Sequence, residues 1–503
     1  MLIGEYLQKH ATEQHNHPFL LIENRTYTYG EFNQIVNRTV TFLKNNCGVQ
    51  KGSHISVVLP NDIDFMVLFF AIAKMGAVIV PMNPLFKADL LEYMIKQSDS
   101  TLLIQHKDSE IIAGLEIQTL VIENGDIIDL TKNHPEDTNL ANDIKPQDLF
   151  SIIYTSGTTS RPKGVLNSQR TYTSAGIDMV EALKVTKSDI TYLFLPLFHA
   201  NPQFYGIMSA IVAGNTILID KKFSATAFWK KAQNHEFSIF TYVGTVLSIL
   251  AKTYPLEKPL EKRIRGTGGG APTEAWEKVS MTSGIKVHEL YGMSETGGFV
   301  TINTERDWKF DSVGKARAGV EVAILNEADE KCPLGEIGEI AIRPNEPNII
   351  FNGYYNEPQK SLDVFSNLWF HTGDCGWLDK DGFLHFKGRL KDIIRKKGEN
   401  LSPTYIEEVF LRLPEVREAA CIGIADELAG EEIKLCLVMD DHDFNINRLT
   451  QWGEENLPDI MQPRYFERMD RLPKTPTEKI EKHKLRYMNQ NVIDRRSDKN
   501  VPL

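Results

Sequence analysis

The sequence predicts an α/β fold of doubly covered sheets, followed by an antiparallel or barrel-like region and a small α+β domain, and three patterns predict it. The first is alternation. Short β-branched runs at His54 to Pro60, Thr101 to His106, Thr119 to Glu123, Thr216 to Asp220 and Phe237 to Val243 recur between helical patterns. Strands separated by helices pair in parallel, because the crossover helix returns the chain to the same end of the sheet and covers its face. The second pattern is a change of texture at Val320. Strands at Val320 to Leu325 and Glu339 to Arg343 are separated by a glycine-containing turn with no room for a crossover helix, so an antiparallel or barrel-like arrangement is expected. A hairpin comes next, with Gly376 to Leu378 and Phe383 to Lys387 joined across Lys380, Asp381 and Gly382. The third pattern is a restart after Lys391: a helix from Pro403, strands near Ala419 and Ile433, then another helix, in a stretch long enough for a small domain. A boundary is therefore placed at Lys391, with units 1–390 and 391–503. The polar tail after Lys484 is expected to fray.

The longest apolar stretch, Met66 to Met82, is interrupted by Lys74 and ends in Val80-Pro81, short of the roughly 20 residues a bilayer span requires, so it reads as a buried helix followed by a buried strand. At 503 residues the chain can bury a large core unaided. Hydrophobic residues make up 42% and charged residues 24%, a composition that excludes a disordered or collagen-like protein. The formal net charge of −11 disfavours non-specific attraction to nucleic acid or to an anionic membrane, so any phosphate binding must be local. Cys47, Cys332, Cys375, Cys421 and Cys436 are dispersed, odd in number and without CxxC spacing, which argues for a reducing, cytoplasmic setting. The start of the chain lacks the basic and apolar segments of a secretory signal. His10, His15 and His17 do not match a common metal-ligand spacing and read as ordinary surface or packing residues.

Phe150 to Gly164, FSIIYTSGTTSRPKG, is the most informative stretch. An apolar strand delivers Thr155, Ser156, Thr158 and Thr159 into a turn made pliable by Gly157 and Gly164, and Lys163 supplies a point charge. Hydroxyls, backbone N–H groups and an ammonium together form an anion cradle suited to a polyphosphate. The order differs from GxxxxGK[ST], so this is not a Walker A loop. The run resembles the first core motif, TSGTTGxPKG, of the adenylate-forming (ANL) superfamily of acyl-CoA synthetases, firefly-type luciferases and peptide-synthetase adenylation domains. Ser160 stands in a usual glycine position.

Further stretches match that superfamily in order along nearly the whole chain. Gly268 to Pro272, GGGAP, precedes Tyr291 to Thr296, YGMSET. By resemblance, Tyr291 stacks on adenine against Gly270, Ala271 and Pro272, with Gly292 and Ser294 in the same turn, while Thr296 contacts the α-phosphate and Glu295 holds Mg²⁺. A flat aromatic facing side-chain-poor backbone does make a purine slot, and a carboxylate beside phosphates suits a hard cation. The resemblance further implies that Asp374 of HTGD takes the ribose hydroxyls, that Arg389 of GRLKD reaches the same sugar, and that Lys391 is the hinge of a mobile carboxy-terminal domain. It implies a loop around Gly398 in Lys397 to Ser402 that enters for thioester formation, and a catalytic Lys479 in LPKTPTEKI. Lys397 and Glu478 depart from the usual glycines. Leu195 to Gln203, LPLFHANPQ, resembles an acyl-site segment in which His199 is the gate, and Tyr242, Val243, Gly244 and Gly297 are expected to line the acyl channel. Within the superfamily the chain looks most like crotonobetaine/carnitine–CoA ligases.

The resemblance implies a large lobe of two sheets plus a distorted β-barrel. It implies a two-step carboxylate–CoA ligase that uses ATP, Mg²⁺ and coenzyme A, acts as a monomer or homodimer, and takes a crotonobetaine-like or short-to-medium-chain fatty acid. Two other readings stand beside it: a stand-alone adenylation enzyme that loads a carrier protein, and a nucleotide-binding regulator without turnover. A dehydrogenase reading of Gly266-x-Gly268-x-x-Ala271 is disfavoured, because Lys262 to Arg265 makes a poor buried strand and Pro272 falls where the helix should continue.

Overall fold

The computed structural model describes residues 1–110, 115–138, 143–155, 161–255, 258–397, 399–426, 429–440, 444–474, 480–489, 491–497 and 499–500. Two largely parallel sheets form the greater part of the fold. One has six strands, in the order Gln118–Ile122, Leu102–His106, His54–Val58, Val78–Pro81, Leu149–Thr155 and Lys163–Ser168, and only the last pair is antiparallel. The other has nine strands, and its parallel centre runs Lys286–Tyr291, Arg265–Gly269, Ile239–Val243, Ile190–Leu193, Thr216–Ile219 and Pro18–Ile22. Helices cover these sheets, as the alternation predicts.

Between the sheets lies the helix Ile63–Met75, all of whose residues are buried. It starts where the Asp62 carboxylate accepts the Phe65 N–H at 2.8 Å and stops at Gly76, whose φ of +66° favours glycine. The Val78–Pro81 strand follows, so Met66 to Met82 is helix then strand, as expected. Phe70 of this helix meets Phe19, Phe32 and Phe69 edge-on, which joins the helix to the first strand of the nine-stranded sheet.

The antiparallel region is the third sheet, in which Val320–Leu325, Gly338–Pro344 and Trp369–Leu378 are successive neighbours and Leu384–Arg389 pairs with Trp369–Leu378. Its hairpin turns on Asp379, whose carboxylate accepts the N–H groups of Asp381 and Phe383 at 2.9 and 3.0 Å. The fourth sheet belongs to the residues after Lys391, with the helices Pro403–Leu411 and Ile446–Asn456 packed against Glu418–Asp426 and Gly430–Val438 in one apolar cluster.

One expectation is corrected. The tail does not fray at Val492–Asp494: this segment pairs with Tyr465–Met469, Val492 is fully buried, and Asp494 accepts from Arg464 at 3.0 Å. Residues 262–264 lie outside any strand, in keeping with the poor strand expected there, and the strand that follows, Arg265–Gly269, sits at the centre of the sheet despite its glycines, because in a parallel sheet covered on both sides the neighbours supply the hydrogen bonds and the packing. The glycines of the apparent dinucleotide fingerprint therefore lie within the strand, and the helix begins only at Thr273. Among the described residues no helix is long and apolar enough to cross a membrane. His10 donates its Nε2–H to the Ile211 carbonyl at 2.9 Å and packs on Tyr29.

Phe70→Ala is expected to cost about 3–5 kcal/mol of stability through the cavity left among Phe19, Phe32 and Phe69, read as a lower midpoint in chemical denaturation; a loss within experimental error would show that this cluster does not carry the joint between helix and sheet.

Candidate active site

The site forms where strands of three sheets end. Thr155 closes the Leu149–Thr155 strand and stands in register with Lys163, which opens the antiparallel partner, so the strand pair fixes both ends of the cradle. Ser156, Gly157, Thr158 and Thr159 lie outside the described residues. The Lys163 ammonium is 4.7 Å from the centre of the Tyr354 ring, a cation–π distance. On its other side Tyr354 donates its hydroxyl to Glu295 at 3.0 Å. Burial and the Glu295 carboxylate both push the Tyr354 hydroxyl well above its ordinary pKa, so it stays a donor.

Glu295 belongs to the 3₁₀ turn Ser294–Thr296, just beyond the strand Lys286–Tyr291, and is buried. It fits a magnesium ion as a lone hard oxygen ligand, the kind that leaves the remaining coordination to phosphates and water. Thr296 is placed differently from expectation. Its hydroxyl faces its own turn, accepting the Met293 N–H and donating to the Met293 carbonyl, each at 2.9 Å, because a buried hydroxyl closes the nearest backbone groups.

Tyr291 ends its strand with the ring against Phe386, centroids 5.6 Å apart and planes at 29°. Its hydroxyl donates to the Asp374 carboxylate at 2.8 Å. Asp374 is also in register with Arg389 across the third sheet, and the Arg389 Nε lies 3.7 Å from its other oxygen. Tyr291, Asp374 and Arg389 are thus one cluster, and Lys163, Tyr354 and Glu295 are another, joined through the four-residue step from Tyr291 to Glu295.

Gly270 has a φ of +79°, and a Cβ there would meet nothing within 4 Å, so open space faces the turn. Ala271 follows, and Pro272 caps the helix Thr273–Ser283. Gly244 lies beneath this turn, where a Cβ would come within 1.8 Å of the Gly270 carbonyl oxygen. Its role here is close backbone packing rather than channel lining. Tyr242 is fully buried and its hydroxyl donates to Glu289, which also corrects its expected place on an open channel wall; Val243 is exposed. His199 stacks beside Phe198 at 4.4 Å. Gly297 and Gly298 form the turn after Thr296, and the Tyr205 hydroxyl donates to the Gly298 carbonyl at 2.9 Å. Gly292 and Ser294 flank the same turn.

Lys391 follows Arg389 in a short 3₁₀ turn, and burial together with Arg389 lowers its pKa. Gly398 and Lys479 lie outside the described residues. The motif reading missed Tyr354, Phe386 and Arg317. The Arg317 guanidinium is buried, pairs with Asp178 and donates to the Ile349 carbonyl at 2.7 Å, which braces the turn containing Thr296 from behind. Local sequence around these three carries no chemical signal, because their partners are distant in the chain.

Lys163 and Glu295 on either side of Tyr354, and Tyr291 with Asp374 and Arg389, thus stand near the ends of the parallel strands, where open α/β folds take ligands. Residues 7–355 match the AMP-binding enzyme family and residues 405–479 the AMP-binding enzyme C-terminal domain, and the chain belongs to that family. It is 31% identical to the oxalate–CoA ligase of Arabidopsis thaliana, over 90% of this chain and 92% of that one. It is 28% identical to the crotonobetaine/carnitine–CoA ligase of Shigella flexneri, again over 90% and 92%. The o-succinylbenzoate CoA synthetase of Bacillus subtilis, solved with its acyl-adenylate intermediate, superposes with a TM-score of 0.85 at 26% identity, over 95% of this chain and 97% of that one. The chain is accordingly an acid–thiol ligase of the adenylate-forming class.

Tyr354→Phe removes the hydroxyl that orients Glu295. The Mg²⁺ concentration giving half-maximal pyrophosphate exchange is expected to rise about tenfold, the usual cost of losing a group behind a metal ligand, with the thermal midpoint little changed; an unaltered Mg²⁺ requirement would separate Glu295 from the metal.

Proposed function

We propose that the protein joins a small carboxylic acid to coenzyme A in two steps at one site. In the first, a carboxylate oxygen attacks the α-phosphorus of ATP, and pyrophosphate leaves with the bonding pair of the broken P–O bond. In the second, the CoA sulfur attacks the acyl carbonyl, AMP leaves, and the thiol proton passes to solvent. The observation that carries this reading is the meeting of Tyr291, Asp374 and Arg389 with Lys163, Tyr354 and Glu295 around the open turn at Gly270.

In this reading Tyr291 and the Gly270, Ala271, Pro272 turn hold adenine between them. Asp374 exchanges its present Tyr291 and Arg389 contacts for the ribose hydroxyls, because a carboxylate accepts two donors at once. Thr155, Ser156, Gly157, Thr158, Thr159 and Lys163 hold the β- and γ-phosphates. Glu295 would hold Mg²⁺, which supplies positive charge to the phosphate oxygens as negative charge builds up in transfer. Thr296 shapes the turn beside the α-phosphate. Residues 1–390 and 391–503 act as two units about Lys391, the second presenting Lys479 for adenylation and the Gly398 loop for thioester formation. The ammonium of Lys479 stabilises charge on the α-phosphate only while it is docked.

The acid is proposed to be short, of crotonobetaine, carnitine or short fatty-acid size. Support comes from the wall after Thr296. A Cβ on Gly298 would meet Phe204 at 3.0 Å and Tyr205 at 3.1 Å, so aromatic packing fills the space behind this turn.

Lys479→Ala is expected to lower pyrophosphate exchange by about 10²-fold or more, the scale of losing a transition-state charge contact, while thioester formation from supplied acyl-adenylate is affected much less; equal loss of both half-reactions removes Lys479 from the adenylation step. In a panel of acids assayed by AMP release with CoA or with a carrier protein, turnover is expected to fall steeply beyond short chains and to require CoA. Preference for a long fatty acid would overturn the short-acid reading, and product only on the carrier would overturn the CoA reading.

A further inference from the structure

Glu289 lies in the strand that ends at Tyr291, two residues before it, and is buried with no cation as partner among the described residues. Its strand position is in register with Gly268, which is in turn in register with Tyr242. Three parallel strands therefore present Tyr242, Gly268 and Glu289 side by side. A Cβ at Gly268 would come within 2.1 Å of the Tyr242 carbonyl oxygen and 2.9 Å of its ring, so only glycine leaves the middle strand bare. Across that gap Tyr242 donates its hydroxyl to one Glu289 oxygen, and the Ala271 N–H donates to the other at 3.0 Å. The two donors come from different elements: Tyr242 from the strand Ile239–Val243, and Ala271 from the turn beside the proposed base slot. Asn201, two residues after His199, donates its side-chain N–H to the Tyr242 carbonyl at 2.9 Å, which extends the link to the acyl segment.

We propose that Glu289 is a positioning residue that clamps the Gly270–Ala271 turn to Tyr242 across Gly268, fixing the place of the proposed base wall against the sheet. This rests on the nucleotide reading above for its functional consequence, but the clamp itself is a structural claim. Burial away from any cation pushes the Glu289 carboxyl up to about 7, while both hydrogen bonds favour its charged form; the group is held by donors rather than by ion pairing. A glutamine can replace it, since its carbonyl accepts from Ala271 and its amide donates to the Tyr242 oxygen. Alanine cannot, and leaves two buried polar groups without partners.

Three full-length variants test this. In Glu289→Ala the KM for ATP in pyrophosphate exchange is expected to rise about tenfold to a hundredfold, the range expected when a binding wall shifts by about 1 Å, with kcat changed less, and Glu289→Gln is expected to stay within about threefold of the parent, as a conserved hydrogen-bond pattern requires. Hydrogen exchange at the Ala271 amide is read alongside. It is expected to quicken at least about tenfold in Glu289→Ala, since the amide loses its only acceptor while the fold persists, and to stay slow in Glu289→Gln. If Glu289→Ala does not fold, Glu289→Met keeps the volume, deletes both acceptors and is read in the same way. Slow Ala271 exchange in the folded Ala or Met variant would overturn the clamp, as would a Glu289→Gln variant as impaired as alanine. If the parent protein neither binds AMP nor exchanges pyrophosphate, the nucleotide reading fails, and the exchange rates still decide the clamp.

Discussion

The hydrogen bond from the Tyr291 hydroxyl to the Asp374 carboxylate holds together two parts of the molecule with no strand pairing between them at that point: the end of the nine-stranded sheet and the middle of the antiparallel one. It is buried, so it is not weakened by competition with water, and burial together with the carboxylate keeps the tyrosine protonated as its donor. Everything proposed for the site follows from it. The aromatic proposed to face the base and the carboxylate proposed to face the sugar are set against each other. Phe386 completes the arrangement by occupying one face of the tyrosine ring.

A second constraint acts at the backbone. The strand Arg265–Gly269 is nearly bare of side chains, although it occupies the centre of a sheet. Such a strand is weak in isolation. Here its neighbours make up for the loss, with Phe240 covering Gly266 and Tyr242 covering Gly268. The gain is room at the carboxy-terminal end of the sheet, where ligands of open α/β folds enter.

Much of this was legible in the sequence, for identifiable reasons. Alternation of β-branched runs with helical patterns locates five of the parallel strands to within two residues, because burial on both faces leaves little choice of side chain, while others such as Pro18–Ile22, Ile190–Leu193 and Lys286–Tyr291 are not singled out. The Asp379 hairpin follows from turn chemistry. The motifs single out Lys163, Tyr291, Glu295, Asp374 and Arg389, and the structure gathers them into two clusters with Tyr354 and Phe386. What stays hidden are side chains whose importance depends on distant partners. Tyr354 has meaning only beside Glu295 and Lys163, and Arg317 only beside Asp178 and Ile349. The Val492–Asp494 strand is hidden for a similar reason, because three residues in a polar tail show no periodicity and only the waiting edge of Tyr465–Met469 makes them a strand.

Among the described residues, polar contacts between residues before and after Lys391 include Arg412 with Glu274, Arg395 with Glu327 at 3.1 Å, and Ser402 donating to the Lys387 carbonyl at 2.6 Å. Exposed ion pairs contribute little and are screened by dissolved salt. The packed interior of each side is untouched by breaking them. Ionic strength therefore acts as a lubricant for this joint, loosening the grip between the two sides while leaving each side's own architecture as firm as before.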